Sequence, residues 1–415
     1  MIKNAQKQQS ILIISNRPIS YTDNNGKTIL SLIKEIPKKN ISQLYFYENL
    51  PNVIGYNYFQ LSDKDVLLGL FNKEKRGRKV FAQEDSEDFI ITQKIGIKRS
   101  NLLLILRELL WKDKWHSNQL DRWLDDVAPD IIFFMAGDCL FAYQICSYIA
   151  SRYEAKLFTY ITDDYILSRT GETMLATIRR KMLLKCMCHC INISQRFYTI
   201  CERMRDTYRD VFGKDSEIIF NISDSMYDEK HRQKVTNKNV FNVVYCGSLY
   251  YGRDEILLIL ANTIRSYNQK AKKLAELVVY SNVKPNTEFL SNLEKTGVAL
   301  YGGSLNSDEL KVKMNSCDIL VFVESFDKIQ IEKTRLSFST KIPEYLSVGK
   351  PILAIGPTNI GSMDALNNVA LCVHSKDDLS KYVNEILENE PLRQELAHKA
   401  ILKYQEINEK VLLPW

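Results

Sequence analysis

"FSTKIPEYLSVGKPILAIGP", residues 338–357, reads as a helix, a tight corner and a buried strand in direct succession. Ser339 or Thr340 supplies a natural N-cap, so a helix is expected over 341–348. Pro343 falls in its first turn, where the missing N–H costs little. Gly349 suits the left-handed position just past the helix, Pro351 blocks continuation, and "PILAIG" follows as an apolar strand. Lys341 is the anomaly. A cation in the first turn meets the positive end of the helix, at a cost of a few tenths to about 1 kcal/mol, unless an anion arrives to satisfy both. Glu344, one turn along, is an acceptor for sugar hydroxyls. The stretch therefore reads as a diphosphate held by backbone N–H groups and Lys341, with a ribose beside Glu344.

The same alternation of short apolar strands and amphipathic helices extends away from this corner, which is the pattern of an α/β fold with parallel sheets. Strands are expected at 11–15, 43–47, 131–135, 157–161 and 197–200, and again at 242–246, 276–281, 298–302, 318–323 and 351–356. The polar run "YDEKHRQKVTNKN" (227–239) separates the two series. The expectation is thus two doubly wound, Rossmann-like domains, 1–232 and 240–395, facing across a cleft. A helical stretch, 396–415, is expected to pack back on the first domain. Ligands of such folds bind outside the carboxyl ends of the strands, so the strand-to-helix corners are the site candidates.

Composition narrows the classes. A net charge of +6 over 415 residues suits an anionic ligand or a membrane surface without calling for nucleic acid. The polar start "MIKNAQKQQS" carries no signal-peptide core, and "LLLIL" and "IIFFMAG" fall short of the roughly 20 residues of a membrane span. Nine cysteines, mostly within apolar segments, fit a reduced cytosol, so a cytoplasmic protein is expected. "CMCHC" (186–190) has the residue types of a metal site, yet on a helix Cys186 and Cys190 share a face while Cys188 points elsewhere. A Cys-rich buried face is the expectation, with no metal. "GIKRSNLLLILRELLWKDKW" and "RRKMLLKCMCHC" mix basic and apolar residues as interfacial helices do. With Trp111 and Trp115 at a headgroup boundary they would make a peripheral membrane contact at the inner face; the alternative is ordinary core-facing helices.

The remaining corners carry the other candidates. "NNGKT" (24–28) lacks the upstream glycine of a Walker A loop, since Tyr21 stands there. What remains is a turn containing Gly26 that opens a helix at Thr28, with free N–H groups. "SDKD" (62–65) has the Asp-x-Asp spacing of metal-dependent sugar transferases, but reads better as a capped helix start. "MAGDCLF" and "YITDDYILS" place Asp138, Asp163 and Asp164 just after strands, where a carboxylate orients or deprotonates a hydroxyl, or caps the next helix. "VVYCGSLYYGRDE" offers Gly247 and Ser248 for close backbone approach to a ligand, then Arg253, whose guanidinium suits phosphate oxygens.

At this point "STKIPEYLSVGKPILAIG" resembles the donor-site helix of glycosyltransferase family 4, a large retaining group with the GT-B fold. "YCGSLYYGRD" and "LYGGSLNSDELKVKMNSCDILV" precede it in that family's order, and "ICERMRDTYRDVFGKDSEIIFNISD" resembles the end of its first domain. The resemblance implies that Arg253 stands for the family's diphosphate-binding Lys and Ser248 for its partner Arg. Glu344 matches the second, ribose-contacting Glu of the paired-Glu motif, whereas the first falls on Leu336, with Glu324 or Glu332 as substitutes. The family's first-domain His is Thr162 here, followed by Asp163. The implied reaction moves a sugar from a nucleotide-sugar donor to a glycan, lipid-linked or protein acceptor, with retention and without metal or other cofactor. Arg253, Lys341 and helix N–H groups, with Ser339, Thr340, Gly26, Gly247, Ser248 and Glu344, would hold the donor. Asp138 or Asp163 would position the acceptor. A non-catalytic GT-B subunit that binds a partner transferase or acceptor is the alternative, and an epimerase on a similar scaffold a third.

Overall fold

The computed structural model describes residues 9–21, 24–83, 100–220, 225–228 and 239–409, and the chain forms two units that divide between Ile219 and Phe220. Most of the polar run 227–239, the basic lead-in 94–99 and the terminal 410–415 lie outside the described residues.

The first unit is built on eight strands: β1 (Ile11–Ser15), β2 (Ile41–Tyr45), β3 (Asn57–Gln60), β4 (Arg78–Val80), β5 (Ile131–Ala136), β6 (Lys156–Ile161), β7 (Arg196–Thr199) and β8 (Glu217–Ile218). Their order is β4-β3-β2-β1-β5-β6-β7-β8, all parallel except β4, which runs against β3. β1 and β5 are buried along their whole length, which is why they read as unbroken apolar runs. Chain order reverses between them, and that reversal opens a crevice at their carboxyl ends.

The second unit has six strands: β9 (Val240–Cys246), β10 (Leu274–Tyr280), β11 (Ala299–Gly303), β12 (Ile319–Val323), β13 (Ile352–Ile355) and β14 (Leu371–Val373). The order β11-β10-β9-β12-β13-β14 is all parallel and is the 3-2-1-4-5-6 order of dinucleotide-binding folds. Its core joins Val243, Val279, Val321 and Leu353 of the sheet to Leu257, Leu260 and Ile264 of the helix Arg253–Asn268. The switch point lies between β9 and β12. Helix Glu390–Glu409 packs against helix Lys341–Val348 within this unit.

The ten expected strands are all present, displaced by no more than two residues at either end. β3, β4, β8 and β14 were not legible, because each is two to four residues long and β4 and β14 are only partly buried. Three readings are corrected. The first-corner helix begins at Asn24, not at Thr28, so Gly26 lies inside its first turn. Trp111 is fully buried, stacked on Phe141 with ring centroids 3.6 Å apart, and its indole donates to Asp63 at 2.7 Å. Trp115 is buried edge-on against Tyr148. Neither tryptophan stands at a surface.

"SDKD" is a helix start: Ser62 and Asp65 form a reciprocal capping box, and Asp63 accepts from Arg107 and Trp111. "CMCHC" lies in helix Met174–Ile193, where Cys190 is buried against Thr159 while Cys186 and Cys188 are only partly covered. Among the described residues no three His, Cys, Asp or Glu side chains gather as a metal site needs.

Candidate active site

The corner after β9 is shaped by close backbone approach. A Cβ on Gly247 would meet the Tyr245 hydroxyl at 2.6 Å, and that hydroxyl donates to the Ser248 carbonyl, also at 2.6 Å. Tyr251 and Gly252 then both adopt left-handed backbone, with φ of 64° and 70°, and turn the chain into helix Arg253–Asn268. A Cβ on Gly252 would meet the Ser325 hydroxyl at 2.9 Å, so this loop lies on the one that leaves β12.

Arg253, first in its helix, donates from Nη2 to Oε1 of Glu324 at 2.8 Å. Glu324 directly follows β12, and its side chain is 2 % exposed against 15 % for Arg253. Its other oxygen, Oε2, is buried without a hydrogen-bond partner. Burial raises the Glu324 carboxyl above its ordinary value, with Arg253 opposing the shift. Burial alone would lower the guanidinium, but Glu324 and Tyr245 hold it above its ordinary value.

Helix Lys341–Val348 spans the residues expected, and Gly349 takes the left-handed position at φ 63°. Its N-terminus is held differently from the sequence reading. The Thr340 side chain caps nothing; the Ser339 hydroxyl instead accepts from Lys341 N at 3.3 Å. Ser339 N donates to the Ser362 hydroxyl at 3.0 Å, which fixes this turn against helix Gly361–Leu366. Lys341 Nζ meets Glu344 Oε2 at 2.8 Å, so the unfavourable cation has an internal counter-ion.

A residue the sequence reading passed over joins these parts. The Tyr345 hydroxyl accepts from Cys246 N at 2.8 Å and donates to Cys246 O at 3.0 Å, which clamps the helix to the last residue of β9. Burial pushes the Cys246 thiol far up, while Lys341 acts to lower it and Glu344 to raise it. Leu336, where the family pattern has its first Glu, is 3 % exposed and belongs to the core. Glu332 lies in helix Lys328–Thr334.

In the first unit the crevice at β1 and β5 holds a small open pocket, lined by Asn16, Arg17, Asn25, Gly137, Thr162 and Tyr165 among others. Fully buried Gln43 holds two of the lining residues from behind: it donates to the Ser15 hydroxyl (2.8 Å) and Arg17 O (3.1 Å) and accepts from Ile19 N (2.9 Å). A polar side chain inside the apolar strand "ISQLY" was the signal for it. Gly26 faces away from this role. A Cβ there would meet Ser20 N at 2.6 Å and Pro18 O at 2.8 Å, so glycine lets the helix pack on that loop, and Asn25 is the residue at the pocket.

Asp163 is exposed beside the pocket and accepts from the Tyr165 hydroxyl at 3.3 Å. Although the residue reaches solvent, desolvation by the protein packed around its carboxyl raises it above the ordinary value, and the hydrogen bonds from Tyr165 and Thr162 oppose the shift. Asp164 instead closes a turn, accepting from Ile166 N and Leu167 N. Asp138 does not line the pocket. Arg179 binds both its carbonyl and its carboxylate, the latter at 3.2 Å. Nothing in the sequence pointed to Arg179.

No family model matches the chain, and no curated protein sequence does. Solved structures do. One is an α,α-trehalose-phosphate synthase (UDP-forming) from Burkholderia xenovorans in complex with glucose-6-phosphate, at 10 % identity and a TM-score of 0.59, over 97 % of this chain and 98 % of that one. An E. coli structure, described as trehalose-6-phosphate bound with UDP-2-fluoro glucose, matches at 14 % identity and 0.59, over 97 % of each chain. A glycosyltransferase from Rickettsia africae matches at 11 % identity and 0.59, over 97 % and 96 %. The fold of this chain is that of the GT-B glycosyltransferases, two doubly wound α/β units.

Proposed function

We propose that this protein transfers a glycosyl group from a nucleoside-diphosphate sugar to an acceptor hydroxyl, with retention and without a metal, in the synthesis of a glycan, surface polysaccharide or glycoconjugate. The observation that carries the reading is the placement of two cations around the switch point of a 3-2-1-4-5-6 sheet: Arg253 on Glu324 after β12, and Lys341 on a helix that Tyr345 clamps to the end of β9. Lys341 is paired with a partly exposed carboxylate that a diphosphate can replace, while Arg253 keeps its buried partner Glu324 and offers its remaining N–H groups. Arg253, Lys341 and the N–H groups after Ser339 then stabilise the charge that builds on the departing diphosphate. Released from Lys341, Glu344 accepts ribose hydroxyls; Gly247 and Ser248 admit the ligand backbone-close. The leaving phosphate itself takes the acceptor proton, so no protein nucleophile is called for. Asp163, with Asp138 behind it on Arg179, orients the acceptor. Placement in the cytoplasm is part of the proposal, in keeping with the free cysteines. The family 4 resemblance at 339–356 supports it, and the structural neighbours suggest uridine donors first, since one is bound with UDP-2-fluoro glucose.

A second reading, a non-catalytic subunit, is favoured by one fact: Leu336 is core, so the acidic sugar contact of the family is absent from that position. Proton NMR of the protein with a panel of nucleotide sugars and EDTA separates the two. The transferase reading expects release of one nucleoside diphosphate and a product whose anomeric coupling matches the donor's. Inverted coupling would remove retention, and no turnover of any donor would leave the subunit reading.

A further inference from the structure

Helix Asn101–Trp111 is apolar on both sides. Trp111 faces the core, yet Leu102, Leu106 and Leu109, spaced as one outward stripe, are 53, 51 and 58 % exposed. Helix Met174–Ile193, packed beside it, repeats the pattern. Its inner side buries Leu183, Met187 and Cys190, while Met174, Ile178 and Met182 are 80, 40 and 41 % exposed. Asn101 Nδ2 donates to Thr173 Oγ1 at 3.3 Å, which ties the starts of the two helices and sets the stripes side by side. An amphipathic helix of a folded domain normally turns one stripe inward and a polar face out. Two adjacent outward apolar stripes make a docking surface rather than scattered exposure.

The charge around the stripes says what docks. Helix Met174–Ile193 contains no acidic residue, and Lys181 and Lys185 lie on the same outward face as Met174, Ile178 and Met182. Lys112 follows Leu109 at the end of the other stripe. All three lysines are exposed and form no ion pair among the described residues. The nearby acids are occupied, Glu108 by Arg179 and Glu172 by Arg180, while Asp113 stands exposed at the helix end. Leucine and methionine that enter the acyl boundary, with lysines whose stems run along it and whose ammonium groups stay at the headgroups, match an anionic bilayer.

We propose that this face of the first unit binds peripherally to an anionic lipid surface. It does so without spanning, since no described helix is long and apolar enough to cross a membrane. Docking itself does not depend on the transferase reading.

The test is flotation of the full chain with phosphatidylcholine–phosphatidylglycerol vesicles and with phosphatidylcholine alone. The expected result is binding to the mixed vesicles only, weakened about tenfold or more by Leu106→Asp with Ile178→Asp, and weakened by salt or by Lys181→Glu with Lys185→Glu. The variants should keep the wild-type melting temperature, because all four side chains face outward. Absence of binding to mixed vesicles overturns the proposal. So does a wild-type dimer in light scattering that the apolar variants dissociate, which would make the face a protein interface. Equal binding to both vesicle types overturns the anionic requirement.

Discussion

Arg253→Ala is expected to destabilise the second unit by about 3–5 kcal/mol at neutral pH, the scale for stripping one partner from a buried ion pair. The side chains concerned are 15 and 2 % exposed, so solvent does not screen the loss. Alanine leaves Glu324 with both oxygens buried and unpaired, since Oε2 has no partner even in the intact protein. The pH dependence follows from the sign of the shift. Burial already raises the folded carboxyl above its ordinary 4.5, and removal of the opposing guanidinium raises it further. A folded pKa above the unfolded one means the penalty is absent below the unfolded value and grows as pH rises through the folded one. Urea denaturation should therefore show the gap between wild type and variant narrowing as the pH is lowered toward 5. Arg253→Met with Glu324→Leu should recover most of the stability, because apolar replacement of a whole buried pair is often neutral or better. A pH-independent loss that the double variant fails to rescue would mean that the pair does not carry the energy assigned to it.

Lys341→Met should behave in the opposite way. Its bond to Glu344 spans one helical turn at a partly exposed position, a type of pair worth about 0.3–0.5 kcal/mol, and a cation in the first turn is unfavourable in any case. Stability should stay within roughly 0.5 kcal/mol of wild type. Nucleoside-diphosphate affinity should fall about ten- to a hundredfold, the scale of a charge-assisted hydrogen bond to phosphate. Thermal melting and a binding titration on the same preparation check both halves. A melting temperature that drops with no change in affinity would make Lys341 a structural residue.

These two substitutions mark how far the sequence could be read. The helix 341–348, its Gly349 stop and the strand after it were legible because Pro343 in the first turn, the left-handed glycine and the apolar run fall at fixed spacing. The fold was legible for the same reason, since buried strands such as β1, β5 and β12 read as apolar runs. What could not be read was which charges meet. Arg253 and Glu324 are 71 residues apart, and the Tyr345 clamp on Cys246 spans 99. Such pairs depend on strand order, which local periodicity does not encode. The Lys341–Glu344 pair is local, yet it was read as two separate ligand contacts. Trp111 and Trp115 failed for a related reason. The helix that ends at Trp111 is apolar on both faces and gives no phase, so the sequence could not say that Trp111 points inward and the leucines outward; Trp115 lies past the helix end, where no periodicity applies.

The most direct test of the donor site is calorimetric titration of UDP, GDP, dTDP and CMP, with EDTA present, into wild type and into an Arg253→Met, Glu324→Leu, Lys341→Met variant. The account predicts metal-independent binding of one nucleotide to the wild type and none to the variant, with both proteins folded. Binding that survives in the variant, or that appears only when a divalent metal is supplied, would contradict the placement of the diphosphate at the end of β9.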